Sequence, residues 1–190
     1  MDKGRTKTGW AEEKEEKVIV DNPFEKEILQ FEKEDRNNPP PEKAVLFVGS
    51  SSFRLWDSME EDFSGIKVIN RGFGGASFSD IIHYADRIII PYKPENVLIY
   101  AGSHDLHEGN ATPEEVLESL KELCKLVWTR LPKTKFYFVS MKPSIAKWGN
   151  IELDQKTNHL IWQYSKKTDR FEYIDIWNIV DPEKWTTDKV

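Results

Sequence analysis

Val45-Leu46-Phe47-Val48-Gly49-Ser50-Ser51-Ser52 is an apolar run that breaks at a glycine into three hydroxyl residues. A short continuous apolar stretch bounded by a turn signal reads as a buried strand, and the small polar residues after it read as a helix start. In open α/β sheets, ligands bind just beyond the carboxyl ends of the strands, so a serine placed there is a candidate nucleophile. Ser51 stands where that turn enters the helix.

The same alternation repeats downstream. Strand-like runs occupy Ala44–Val48, Lys67–Asn70, Asn96–Ala101, Lys135–Ser140 and Phe171–Trp177, with helix-like runs at Ser79–Ile89, Pro113–Arg130 and Glu152–Lys167 between them. Strands alternating with helices imply right-handed crossovers and a parallel sheet covered on both sides. The expected fold is therefore an α/β three-layer sandwich around five strands. Thr112-Pro113-Glu114-Glu115 is a capping box with proline in the first turn, and Val116, Leu120, Leu123 and Val127 follow on one face. Cys124 falls in that pattern and reads as a buried structural thiol. Ahead of the first strand, Asn22-Pro23 predicts a helix start, and Phe24, Ile28 and Phe31 form its apolar stripe. Residues 1–21, rich in Lys and Glu, read as a disordered lead-in to a single domain over residues 22–190.

Composition narrows the function classes. A formal net charge of −6 without a basic stripe argues against a nucleic-acid surface. One cysteine excludes an internal disulfide and a Cys-based zinc site. No metal-ligand spacing stands out, so neither metal nor cofactor is expected. No apolar run reaches the ~20 residues that span a bilayer. Met1 to Lys17 contains no apolar signal core, which points to a cytoplasmic protein. Nothing in the composition indicates the oligomeric state.

Two further strand ends carry unusual residues. Asn70-Arg71-Gly72-Phe73-Gly74-Gly75-Ala76-Ser77 follows the second strand, with three glycines in four positions that allow close approach of the backbone to a ligand. Its spacing is not that of a dinucleotide-binding loop. Tyr100-Ala101-Gly102-Ser103-His104-Asp105 ends the central strand, and Asp105 is either an accessory polar group or the cap of a short turn.

Together these blocks resemble the SGNH, or GDSL-like, hydrolases, a family of esterases, lipases and acetylhydrolases. Gly49-Ser50-Ser51 resembles the family's first block, with Ser50 where Asp is usual. Asn70 to Ser77 resembles the second, and Gly102-Ser103-His104-Asp105 the third. Asn22-Pro23-Phe24 through Pro41 and Lys142-Pro143-Ser144 also look like one bacterial-type branch of the family. The resemblance implies a flavodoxin-like sheet of order 2-1-3-4-5 and hydrolysis of a small-molecule ester. Ser51 would attack the carbonyl, and the N–H groups of Ser51 and Gly75, with His104, would hold the oxyanion.

Two positions depart from the family pattern. His104 replaces an Asn that donates to the oxyanion; a ring N–H can also donate, but it depends on pH. The four histidines are His83, His104, His107 and His159, and no Asp-x-x-His follows Asp175-Ile176-Trp177, although Asp181 and Asp188 remain. The domain reads as C-terminally incomplete, and the expected behaviour is weak or absent turnover. A non-catalytic ligand- or carbohydrate-binding pseudoenzyme is the competing class, and His104 as a relocated base is a third reading. His83, on the helix after Gly75, reads as a packing or surface residue, His107 as a residue of a polar loop with Glu108 and Gly109, and His159 as part of the helix that contains Leu160 and Trp162.

Overall fold

A computed structural model of the chain describes residues 22–179. Five strands, β1 (Val45–Gly49), β2 (Val68–Gly72), β3 (Asn96–Tyr100), β4 (Lys135–Val139) and β5 (Phe171–Ile174), pair in parallel in the order β2-β1-β3-β4-β5. Seven α-helices stand among the described residues: α1 (Glu25–Asn37), α2 (Ser51–Arg54), α3 (Met59–Asp62), α4 (Phe78–Ile88), α5 (Ser103–His107), α6 (Pro113–Arg130) and α7 (Ile151–Ser165). The result is the expected three-layer α/β/α sandwich.

Alternation along the strands divides the core in two. Leu46, Val48, Val97, Ile99, Phe136 and Phe138 point to one face, where they pack with Ile28 of α1, Ile81 and Ile88 of α4, Leu120 and Leu123 of α6 and Ile161 of α7. Phe47 and Tyr100 point to the other and meet Phe53 and Met59 from the α2–α3 segment. That second cluster is aromatic: Phe47 packs edge-on to Phe53 at 5.2 Å between centroids and contacts Trp56 and Phe63.

Local signals explain the boundaries. In α6 the Thr112 hydroxyl accepts the Glu115 N–H at 3.3 Å, and the Glu115 carboxylate accepts the Thr112 N–H at 2.7 Å. Val116, Leu120, Leu123, Cys124 and Val127 are all buried on its inner face, and burial pushes the Cys124 thiol far up. The first helix begins at Glu25 rather than at Asn22-Pro23. Asn22 instead forms a turn, accepting the Phe24 N–H on Oδ1 and the Glu25 N–H on its carbonyl, both at 3.1 Å. The last strand ends at Ile174, short of the predicted Trp177, because a side chain takes over the ladder. Ser140 N–H donates to the Ile174 carbonyl, after which the Ser140 hydroxyl accepts the Ile176 N–H, both at 2.9 Å. The charged lead-in, and the tail beyond Pro182 with Trp185, lie outside the described residues. No helix among the described residues is long and apolar enough to cross a membrane.

Candidate active site

The exits of β1, β2 and β3 are stitched together at the carboxyl edge of the sheet. Gly49 lies opposite Gly72 on one side and Tyr100 on the other. A β-carbon at Gly49 would stand 2.1 Å from the Tyr100 carbonyl oxygen, so only glycine lets β1 leave the sheet this close to β3. The Gly49 carbonyl accepts the Phe73 N–H at 2.9 Å, and the Ser50 N–H donates to the Tyr100 carbonyl at 3.1 Å. The next three residues then separate by role. Ser50 is buried, 6% exposed. Ser52 lies near the Tyr100 hydroxyl, a group whose pKa burial pushes up to about 12. Ser51, at the first position of α2, is half-buried, and among the described residues no hydrogen bond engages its side chain.

Asn70 fixes the second block against the first. Its amide donates to the Phe53 carbonyl at 2.7 Å, and its Oδ1 accepts the Gly72 N–H at 2.9 Å. Gly75 follows in the left-handed region, φ 74°, which glycine occupies without strain. No hydrogen bond within the described residues takes up the Gly75 N–H. A β-carbon on Gly75 would meet His104 Cε1 at 3.4 Å, so the imidazole of the third block lies against this backbone. His104 Nδ1 stands 2.9 Å from Glu108 Oε1.

Asp105 is brought to the same edge but turned inward. Both of its carboxylate oxygens accept the Phe78 N–H, at 3.0 and 3.2 Å, tying α5 to the first residue of α4. Burial raises its pKa above the ordinary carboxylate value, with the Phe78 N–H opposing. His107, read from sequence as a loop residue, is buried at the end of α5, its Nε2 3.0 Å from Asp154 Oδ1. A sequence signal for this pair exists: Asp154, Thr157, Asn158 and Ile161 recur at helical spacing, and all are buried in α7. His83 and His159 are surface residues, the first edge-on to Tyr84 and the second stacked on Trp162. A groove lined by Asn158, His159, Trp162, Tyr173, Asp175 and Trp177 lies beside β5, and neither Ser51, Gly75 nor His104 lines it. No cluster suited to a metal ion occurs among the described residues.

A five-stranded parallel sheet of this order, covered by helices on both faces, has known counterparts. It superimposes on a GDSL-like lipase from Bacteroides thetaiotaomicron with a TM-score of 0.67, covering 84% of this chain and 83% of that one at 20% identity. This is the SGNH hydrolase fold. A Streptococcus pneumoniae protein described as a candidate platelet activating factor superimposes with a TM-score of 0.72 at 17% identity, over 86% of this chain and 80% of that one. In sequence, the chain is 27% identical over 140 residues to platelet-activating factor acetylhydrolase IB subunit alpha2 of Rattus norvegicus. That match takes in 71% of this chain but 60% of the rat protein, so the chain spans less than two thirds of that relative. No protein-family model matches the chain.

Proposed function

We propose that the chain is an SGNH-type carboxylic ester hydrolase scaffold in which Ser51 is the nucleophile and the N–H groups of Ser51 and Gly75 receive the oxyanion. What supports this reading is the placement, at the same edge of the sheet, of a serine at a helix start, a glycine amide and an imidazole against that glycine, the serine hydroxyl and the glycine amide having no hydrogen-bond partner among the described residues. Donors preset where negative charge develops are the largest single contribution in acyl transfer, with one donor worth roughly 10²–10³ in kcat. The similarity to an acetylhydrolase, and to the fold of a lipase, supports an ester with a short acyl group as the substrate class.

Turnover by these 190 residues is expected to be slow. A serine hydroxyl is a weak nucleophile until a base takes its proton, and a positioned base contributes typically about 10²–10⁴-fold. No histidine follows His159 in the sequence. His104 is the histidine beside the proposed oxyanion glycine, with its Nδ1 2.9 Å from Glu108 Oε1.

The test is hydrolysis of p-nitrophenyl acetate by the chain, by Ser51→Ala and by His104→Asn. The expected outcome is a low rate that Ser51→Ala reduces to background. His104→Asn should leave that rate equal or higher if His104 only crowds the oxyanion site, and abolish it if His104 serves as the base. A rate insensitive to Ser51→Ala rejects the assignment.

A further inference from the structure

The loop that carries Gly75 is held by a residue outside all three strand-end blocks. Glu27 of α1 lies 47 residues earlier in the chain, and its Oε2 accepts the Gly74 N–H at 3.1 Å. Gly74 is the residue immediately before the candidate oxyanion donor.

The position of Glu27 is well determined because α1 is fastened along its length. Its neighbour Ile28 is fully buried, and the Phe24 ring meets Phe73 of the glycine loop edge-on at 5.1 Å. Arg87 of α4 holds Glu25 at 2.8 Å and Glu32 at 2.6 Å. Arg71 of β2 holds Asp35 at 2.5 Å. Those three acidic residues of α1 pair with guanidinium groups, whereas Glu27 reaches a backbone amide. Gly74 and Gly75 are consecutive glycines, and a diglycine segment rotates freely unless something pins it. A carboxylate accepting a backbone N–H is a charge-assisted, directional pin.

We propose that Glu27 is a positioning residue for the oxyanion site: by holding the Gly74 N–H, it fixes the direction in which the Gly75 N–H points. The far end of the same loop is held by Asp105 through the Phe78 N–H, so the segment from Phe73 to Phe78 is anchored on both sides by carboxylates. This inference rests on the reading of Gly75 as an oxyanion donor.

The experiment compares the full chain with Glu27→Ala and Glu27→Gln in three measurements. These are backbone NMR of Gly74 and Gly75, the rate at which a fluorophosphonate labels Ser51, and the thermal midpoint. In Glu27→Ala, exchange of the Gly74 amide should rise at least about tenfold, and the Gly75 order parameter should fall from the rigid range near 0.85 to below about 0.6. Labelling of Ser51 should slow by roughly ten- to a hundredfold, the penalty typical of a slightly misplaced group. Exchange at Val97 and Ile99, in the core strand β3, should stay unchanged. Glu27→Gln keeps an acceptor oxygen and should restore all three values to within a few-fold. Unchanged glycine dynamics in Glu27→Ala, a Gln variant as impaired as Ala, or equal loss of protection at Val97 and Ile99 would each overturn the proposal. A wild-type chain that fails to label at Ser51 rejects the hydrolase reading instead, and the exchange measurements still decide the role of Glu27.

Discussion

Replacing Gly49 by alanine tests whether the close approach of β1 to β3 builds the site edge. The new β-carbon would lie 2.1 Å from the Tyr100 carbonyl oxygen, where ordinary contact begins at 3.4 Å, so the strands must part by about 1.3 Å. The obstacle is backbone on both sides, so no rotamer change relieves it. That same Tyr100 oxygen accepts the Ser50 N–H at 3.1 Å, and a displacement of this size breaks the bond. Overpacking costs typically about 1–3 kcal/mol. A buried hydrogen bond left unmade adds about 1–3 kcal/mol. A loss of about 3–5 kcal/mol is therefore expected, a shift of roughly 6–20 °C in a chain of this size. Urea denaturation followed by circular dichroism measures the loss, and calorimetry the midpoint. Ser51→Ala, two residues on and free of crowding, should stay within about 0.5 kcal/mol of wild type. A Gly49→Ala loss below about 1 kcal/mol would refute the reasoning, because it would mean the strands separate at little cost.

Three further outcomes follow from the same geometry. Asp105→Asn keeps an oxygen for the Phe78 N–H but removes a carboxyl whose folded pKa is raised by burial. The wild type should lose stability as pH rises from the ordinary carboxylate value through the raised one. The variant should lack that slope and be as stable or more so at pH 7, as thermal melts across pH would record. Arg71→Leu leaves Asp35 without its guanidinium and removes the donor to Tyr92 Oη at 2.6 Å. A loss of about 2–3 kcal/mol in urea unfolding is expected, below the full range for a completely buried pair because Asp35 is partly exposed. Cys124 is fully buried with its thiol pushed far above the ordinary range, so it should resist a disulfide reagent in the native state and react promptly in denaturant.

The sheet was legible because its strands are continuous apolar runs and its crossovers carry helix signals such as the Thr112 capping box. The serine, glycine and polar turns were legible for the same reason: each directly follows a strand. What sequence periodicity does not reveal is the partner of a polar side chain. Glu27 and Gly74 are 47 residues apart, as are His107 and Asp154, and Asp35 reaches Arg71 across 36. A hydrophobic pattern says which face of α1 is inward, yet it does not say that Glu27 on that helix meets one amide of a loop after β2. In α7 the pattern did hold a clue, since Asn158 sits in the buried stripe. Its amide accepts the Met141 N–H and donates to the Met141 carbonyl, both at 2.9 Å. A polar residue in a buried helical stripe signals a backbone segment that needs its hydrogen bonds completed. Here that segment is the turn leaving β4.

The polar contacts at the sheet edge are concentrated on backbone rather than on Ser51, the proposed nucleophile. Asn70 holds Gly72 and Phe53, Glu27 holds Gly74, Asp105 holds Phe78, and Ser50 and Phe73 close the exits of β3 and β1. Each contact orients an amide or carbonyl of the turns flanking Ser51, and none engages the Ser51 hydroxyl. Donors held in place by such pins stabilise developing negative charge without reorganising during the reaction, which is the condition for strong oxyanion stabilisation. Proton removal depends on a separate group. On the proposed reading, the donor half of the site is built independently of the base half. Affinity for a tetrahedral oxyanion mimic should follow Glu27 and Gly75, while the rate of acyl transfer should follow whichever base reaches Ser51. A boronic acid adds to Ser51 as such a mimic: a new bond joins Ser51 Oγ to boron, and the serine proton passes to solvent. Its binding should weaken about tenfold or more in Glu27→Ala, as expected when an oxyanion donor is misdirected. It should be abolished in Ser51→Ala. Equal boronate affinity in Glu27→Ala and wild type would separate the pinned loop from the oxyanion and dissolve the link between these contacts and catalysis.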